Sequence, residues 1–314
     1  MITAVVLGLL YSLMALGVYL TFRVLEFPDL TVDGSFTTGA AVTAVMIVNG
    51  YNPVLSMLVA FAAGMAAGFV TGLLNTKGNI DGLLAGILTQ IALYSINLGI
   101  MGKPNIALLR EPTVFDVVKN QGLLDSWWGP VVLLPFVLLA LSALVWFLHT
   151  NLGLAMRAAG DSPEMSRSFG VSTDFQKILG LGLSNGMVAL SGSLIAQYQK
   201  YADVAMGIGI IVAGLASVII GQAILGRLTI WRAATAAVLG AVIYRVVLQL
   251  ALMLGLNPNY MKLVSAVLVV LALLVPQWKL LARLNKILGI RKRTPDERMT
   301  DRLVMENAAL DGEE

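Results

Sequence analysis

The residues able to do chemistry in this 314-residue chain gather where long apolar stretches are interrupted. Asp29, Thr31 and Asp33 stand in one interruption, which runs from Phe27 to Ala40 through Gly34 and Gly39. Asp203 opens a second, which continues through Gly207 and Gly209 to Gly214. Irregular backbone at membrane depth survives only where protein or a water-filled cavity satisfies its N–H and C=O groups, so polar side chains beside such breaks are placed to gate a path or touch a solute. Gln90 and Asn97, seven residues apart, share one helix face with Gly86 and Tyr94 nearby. That stripe either lines a path or joins helices by hydrogen bonds, and Asn185, with Ser184, Ser191 and Ser193, poses the same alternatives. Arg245 is a lone charge inside an apolar run. A charge at that depth costs at least ~2.5 kcal/mol, so it must face protein or water. It meets a solute carboxylate, or it pairs with Asp29, Asp33 or carbonyls at a helix break.

Other chemistries find no support in the residues. His149 is the only histidine and there is no cysteine, a set too small for a usual zinc site. No serine, histidine and acid grouping occurs at membrane depth, so no catalytic residue is expected. A phosphate-binding Gly-x-x-x-x-Gly-Lys-Ser/Thr loop is also missing, which leaves nucleotide hydrolysis to another chain.

The elements that must position these residues are apolar runs. With 58% hydrophobic and 12% charged residues, the chain cannot be solvated as one water-soluble core. Uncharged runs cover residues 2–22, 35–49, 53–76, 82–102, 128–148, 178–199, 204–226 and 263–278, and a ninth, 233–256, carries Arg245. About 20 helical residues match a hydrocarbon core of roughly 30 Å, so most are long enough to span, while 35–49 is short and half-buried or tilted. None of the 18 Asp and Glu falls inside a run. The expected fold is all-α and polytopic, with nine spans or eight and a re-entrant piece. Counting back from the basic tail puts the amino terminus outside and the carboxyl terminus in the cytoplasm, with 15 of the 21 Lys and Arg inside, 5 outside and 1 in a span. The first run lacks a basic segment ahead of it and is expected to stay as an anchor. Residues 1–282 form the membrane part. Residues 283–314 form a tail that begins basic, with Arg291, Lys292 and Arg293, and ends acidic, with Asp311, Glu313 and Glu314.

Spacing suggests two further features. Gly64 and Gly68 set a small-residue interface on the third run. The texture around Gly8 and Ser12 returns around Gly182 and Asn185, each followed by a break, in units of opposite direction; this predicts an inverted repeat. On the inner side, residues 150–177 read as a loop holding one short helix. Asp161 or Ser162 can cap it, Pro163 suits its first turn, Glu164 completes a capping box, and Gly170 suits a left-handed stop. Such punctuation of a helix too short to be stable alone points to a docking element.

The Leu-Gly-x-x-x-Arg-Ala-x-Gly-Asp pattern from Leu152 to Asp161, closed by Gly170 and Val171, resembles the coupling loop of permease subunits in ATP-binding-cassette importers of the branched-chain amino acid type. The stretches Glu26 to Ala41 and Gly207 to Gly226 are most similar to the branch assigned tryptophan, tyrosine or no known substrate. The resemblance covers roughly residues 2–277. It implies a permease for a small organic solute, such as an amino acid, in a bacterial cytoplasmic membrane. It implies a second permease copy, most simply a homodimer, two ATPase subunits carrying ATP and Mg, and an extracytoplasmic solute-binding protein or lipoprotein. It implies no cofactor on this chain and no nucleic-acid partner. Arg157, Gly160, Asp161, Ser162, Pro163, Glu164, Arg167 and Gly170 would then form the ATPase-coupling element, and Asp29, Thr31, Asp33, Gln90, Asn97, Asn185, Asp203 and Arg245 the substrate path. A stand-alone secondary transporter or facilitator, and a membrane scaffold or enzyme, remain the rival readings.

Overall fold

The computed structural model describes residues 1–116, 128–226, 228–255 and 260–274. Helix α1 (Ile2–Tyr19) continues into a π-helical turn (Leu20–Val24). There follow α2 (Thr31–Val48), α3 (Pro53–Thr76), α4 (Gly82–Met101), strand β1 (Asn105–Ala107), α5 (Trp128–His149), α6 (Asn151–Asp161), α7 (Pro163–Ser168), α8 (Thr173–Gln199), strand β2 (Tyr201–Asp203), α9 (Ile210–Leu225), α10 (Ile230–Met253) and α11 (Met261–Leu274). Seven of these helices are long and apolar enough to cross a membrane; α9, with 16 residues, and α11, with 14, are shorter. The chain divides into Met1–Val270 and Leu271–Glu314. The tail read as residues 283–314, with its charges from Arg291 to Glu314, and Arg227 and Asp125 lie outside the described residues.

Local chemistry sets the helix ends. Asn52 accepts the Val54 N–H ahead of Pro53, Asp81 accepts the Leu83 N–H, and Ser172 accepts the Phe175 N–H. These side chains satisfy N–H groups that have no partner within a first helical turn. Gly102, at φ +65°, ends α4 in the left-handed conformation that glycine tolerates.

The centre of the bundle is α8, which packs against α1, α2 and α3. The crossings are close because glycines remove the side chain at the contact. A Cβ on Gly39 of α2 would lie 1.9 Å from the Ala189 carbonyl oxygen, and one on Gly192 of α8 would lie 2.0 Å from that of Phe36. Gly64 and Gly68 of α3 lie against the Asn185 and Leu181 carbonyls, so the spacing read from sequence is a helix interface.

Four boundaries differ from the sequence expectation. α2 begins at Thr31 and takes Asp33 into its first turn, so one acid does stand inside an apolar helix. α8 begins at Thr173 and takes in Asp174 and Lys177. The run 204–226 is helical only from Ile210, after a strand and a turn. Residues 151–161, expected as loop, form α6, because Gly160 lets that helix pack on the Val24 carbonyl, where a Cβ would be 1.9 Å away.

Candidate functional site

The first break, between the π-helical turn and α2, is filled by side chains. Asp29 is buried, and its Oδ1 accepts the Thr31 N–H at 2.9 Å. Its Oδ2 accepts Asn185 Nδ2 at 2.7 Å, and Asn185 Oδ1 accepts the Ser35 hydroxyl at 2.7 Å. Thr31 Oγ1 shares a hydrogen bond of 2.7 Å with Thr71 of α3. Asp29, Thr31 and Asn185 thus belong to one buried network that fixes the start of α2 to α8 and α3. Such groups are costly unless satisfied, and here each is engaged.

Asp33 closes the second break. Its Oδ2 accepts the Gly209 N–H at 2.7 Å and its Oδ1 the Ile211 N–H at 2.8 Å. Gly209, at φ +82°, precedes α9 and supplies no cap of its own, so the carboxylate that caps α9 comes from a helix 176 residues earlier. An anion at a helix N-terminus meets both free N–H groups and the positive end of the helix dipole. Thr37 Oγ1 adds a contact at 3.1 Å to the Gly207 N–H. A Cβ on Gly207 would lie 2.0 Å from the Asp33 carbonyl oxygen, which explains the glycine.

Beside this cap lies a cavity of about 390 Å³. Its polar wall is Asp33, Thr37, Gln90, Ser95 and Asn97, and its apolar wall is Ile91, Tyr94, Val204 and Ile208. Gln90 Nε2 reaches Asp33 Oδ2 at 3.5 Å, and Asn97 Nδ2 donates to the Gly34 carbonyl at 3.3 Å. The structure therefore brings Asp33, Gln90 and Asn97 together on one cavity and sets Asp29, Thr31 and Asn185 in the packing behind it.

Two other candidates stand apart from the cavity wall. Asp203, on β2, accepts the Ala205 N–H at 2.7 Å, and Asn105 lies 3.5 Å from its other oxygen. Arg245 stands over the Tyr11 ring, 3.4 Å from the centroid, and Tyr11 stacks on Phe36 at 5.8 Å. Its contact in the structure is an aromatic face, which is neither the solute carboxylate nor the Asp29, Asp33 or carbonyl pairing weighed from the sequence; the ring face attracts the guanidinium, while Nε is buried without a hydrogen-bond partner. Thr37, Ser95, Val204 and Ile208 were not singled out in the sequence. Ser95 sits between Gln90 and Asn97, and Thr37 stands four residues after Asp33 on the same face of α2, but Val204 and Ile208 are brought in only by the tertiary fold.

At the other end of α8, α7 packs on the bundle through Arg167. Its Nε donates to Thr173 Oγ1 at 2.7 Å, and its guanidinium lies 3.7 Å from Asp174, which Lys77 also approaches at 3.7 Å. Ser162 is at once the last flank of α6 and the first of α7, and its hydroxyl makes no cap bond; Asp161 is the final residue of α6. The capping box expected with Glu164 is therefore not formed. Gly170, at φ +81°, does take the left-handed conformation. Glu164, Met165 and Phe169 are exposed, Phe169 at 76%.

Apolar helices broken at two points, with a polar cavity at one break, define a polytopic transport protein. The family model described as branched-chain amino acid transport system / permease component matches residues 1–273, and the chain belongs to that family. It is 42% identical over 264 residues to a tyrosine transport system permease protein of Clostridioides difficile (strain R20291), covering 84% of this chain and 86% of that protein. It is 34% identical over 277 residues to an uncharacterized protein of Rickettsia prowazekii (strain Madrid E), covering 87% of this chain and 96% of that one. No solved structure matches it significantly. The chain is a multi-pass membrane protein and the permease component of an amino-acid-type transport system.

Proposed function

We propose that this permease carries an aromatic amino acid such as tyrosine inward, driven by ATP hydrolysed on a separate ATPase dimer that docks on α7. The observation that carries the ATP-driven reading is the placement of α7. It is a six-residue helix with Met165 and, just past its end, Phe169 exposed, held at its base by Arg167. Its neighbour α6 presses Gly160 onto Val24, the last residue of the π-helical turn. A push on α7 and α6 thus meets, five residues on, the Asp29 network at the first break. π-Helical turns recur at functional sites, and this one joins the docking element to the start of α2. Arg157, Gly160, Asp161, Ser162, Pro163, Glu164, Arg167 and Gly170 are assigned to coupling.

The cavity of Asp33, Gln90 and Asn97 is the solute site in this reading, with a second copy of the chain completing the path and an extracytoplasmic binding protein delivering solute. The end bearing α7 is the cytoplasmic one, with the amino terminus outside and the carboxyl terminus inside. Lys77, Arg167 and Lys177 all gather there, as the excess of cytoplasmic basic residues requires. An inverted repeat is supported by helix pairing. α1 packs on α10 as α8 packs on α3, α2 packs on α3 as α9 packs on α10, and both α1 and α8 lead into breaks.

The test is the double variant Glu164→Arg, Gly170→Val in the assembled transporter. Membrane insertion and ATP hydrolysis persist while uptake of labelled tyrosine is lost. Uptake at the unaltered rate would show that α7 does not couple the two.

A further inference from the structure

The cavity beside Asp33 is lined asymmetrically in charge. Asp33 is the one carboxylate among the described residues of its wall, which hold no Lys, Arg or His. Arg245, the lone cation inside the apolar runs, stands over the Tyr11 ring and is not among the residues of this wall, and its Nε is buried without a hydrogen-bond partner. A second observation points the same way. Asn97 is fully buried, spends its amide N–H on the Gly34 carbonyl, and leaves Oδ1 without a hydrogen-bond partner. A buried acceptor lacking a donor is unfavourable until one arrives, and the carboxamide can offer nothing but acceptance at that atom. The Gln90 contact to Asp33, at 3.5 Å, is at the long limit for a hydrogen bond and is one that a stronger donor displaces.

We propose that the cavity holds its solute through a protonated amine placed between the Asp33 carboxylate and Asn97 Oδ1, with the solute's apolar body against Ile91, Val204 and Ile208. The inference rests on the cavity being the solute site, and it names the part of the solute that is recognised. An ammonium carries three donors and no acceptor, which matches a wall with a carboxylate on α2 and an orphan acceptor on α4. A solute carboxylate finds no cation in this wall, so it is tolerated without being required. Because Asp33 also holds the Gly209 and Ile211 N–H groups, an arriving amine competes with the start of α9 for the same oxygens. Occupancy and the position of α9 are thereby linked.

The chain contains no cysteine, so Ser95→Cys places a single thiol in the cavity wall, and Leu109→Cys, at a residue 78% exposed, gives a reference thiol. The full-length variants, in nanodiscs of neutral phosphatidylcholine, are labelled with cationic aminoethyl methanethiosulfonate and with anionic sulfonatoethyl methanethiosulfonate. The cation-to-anion rate ratio at Ser95→Cys is expected to exceed that at Leu109→Cys by about tenfold, as in clefts lined by one sign of charge. Asp33→Asn should bring it down towards the reference, and tyramine should slow the reaction where 3-(4-hydroxyphenyl)propionate does not. Equal ratios at the two positions with Asp33 intact overturn the proposal, as does protection by the amine-free acid or its absence with tyramine. Uptake by the labelled Ser95→Cys transporter separates this from the reading beneath it. If uptake continues with the cavity filled, the cavity is not the solute site; if filling blocks uptake while the ratios are equal, only the amine assignment falls.

Discussion

Asp33 is a carboxylate inside an apolar helix that accepts two backbone N–H groups at the start of another helix. Replacing it with alanine strands the Gly209 and Ile211 N–H groups, which are part-buried, so the loss falls towards the lower end of the range, about 1–3 kcal/mol, that a fully buried donor without an acceptor costs. Asp33→Ala should therefore lower the unfolding midpoint in detergent by several degrees, with Asp33→Asn, which keeps one acceptor oxygen, in between. A midpoint equal to that of the unaltered chain for Asp33→Ala would remove the cap from any account of stability. Asp116 makes a different prediction, in the connection between α4 and α5. Its partial burial works against the charged form, but hydrogen bonds from Lys200, 2.7 Å away, and from the Thr113 N–H prevail and hold its pKa below the ordinary aspartate value. A depressed pKa contributes stability in full above the unfolded value near ~3.9 and loses it as pH falls through the folded one. The protection of amides in residues 105–116, taken relative to the intrinsic exchange rate at each pH, should hold from pH 5 to 7 and fall below about pH 4; Lys200→Met should weaken that dependence, leaving the part owed to the Thr113 N–H. At this scale the sequence was partly legible. Gln90 and Asn97 declared a shared face through their spacing, whereas the partner of Asp33 lies 176 residues away and no local pattern reports it.

The elements owe their boundaries to the same long-range contacts. Hydropathy ends a run at the last charge, so it set the start of one at Ser35 and of another at Ile178, short of the true starts of α2 and α8. Both helices carry acids that find partners on other elements, Asp33 on α9 and Asp174 with Arg167 and Lys77. Residues 151–161 escaped notice for the opposite reason. Glycines at 153 and 160 disfavour an isolated helix, and only the close approach to Leu148 and Val24 makes them useful. The helix crossings are the element-level feature most open to test. On Gly192 a methyl group would stand 2.0 Å from the Phe36 carbonyl oxygen, so α2 and α8 must separate. The Ser35 to Asn185 and Thr43 to Ser193 hydrogen bonds span that contact. Overpacking of this kind costs about 1–3 kcal/mol. Gly192→Ala should lower the unfolding midpoint, while Gly99→Ala, on α4 with nothing within 4 Å of the added carbon, should leave it equal or raise it. Equal midpoints for both would show that the crossing yields without loss.

Across the molecule, α8 joins two differently built ends. At one, α7, Arg167 and Lys77 gather around Asp174. At the other, a short antiparallel sheet pairs β1 with β2, Asn105 opposite Asp203 and Ala107 opposite Tyr201, and Lys200 ties the same loop to Asp116. β2 leads directly into the turn whose Gly207 and Gly209 meet Thr37 and Asp33, so the sheet restrains the start of α9. If transport moves that start, the motion is passed to β2 through the 204–209 turn, and β2 shifts against β1. The chain has no cysteine to confound a crosslink, and Asn105→Cys with Asp203→Cys places two thiols at directly opposed positions of the pair. Oxidation should arrest uptake and reduction restore it, while the ATP hydrolysis proposed for the partner ATPase continues. Uptake that proceeds through the crosslinked sheet would confine the motion to the α7 end and leave Asp33 as a static cap.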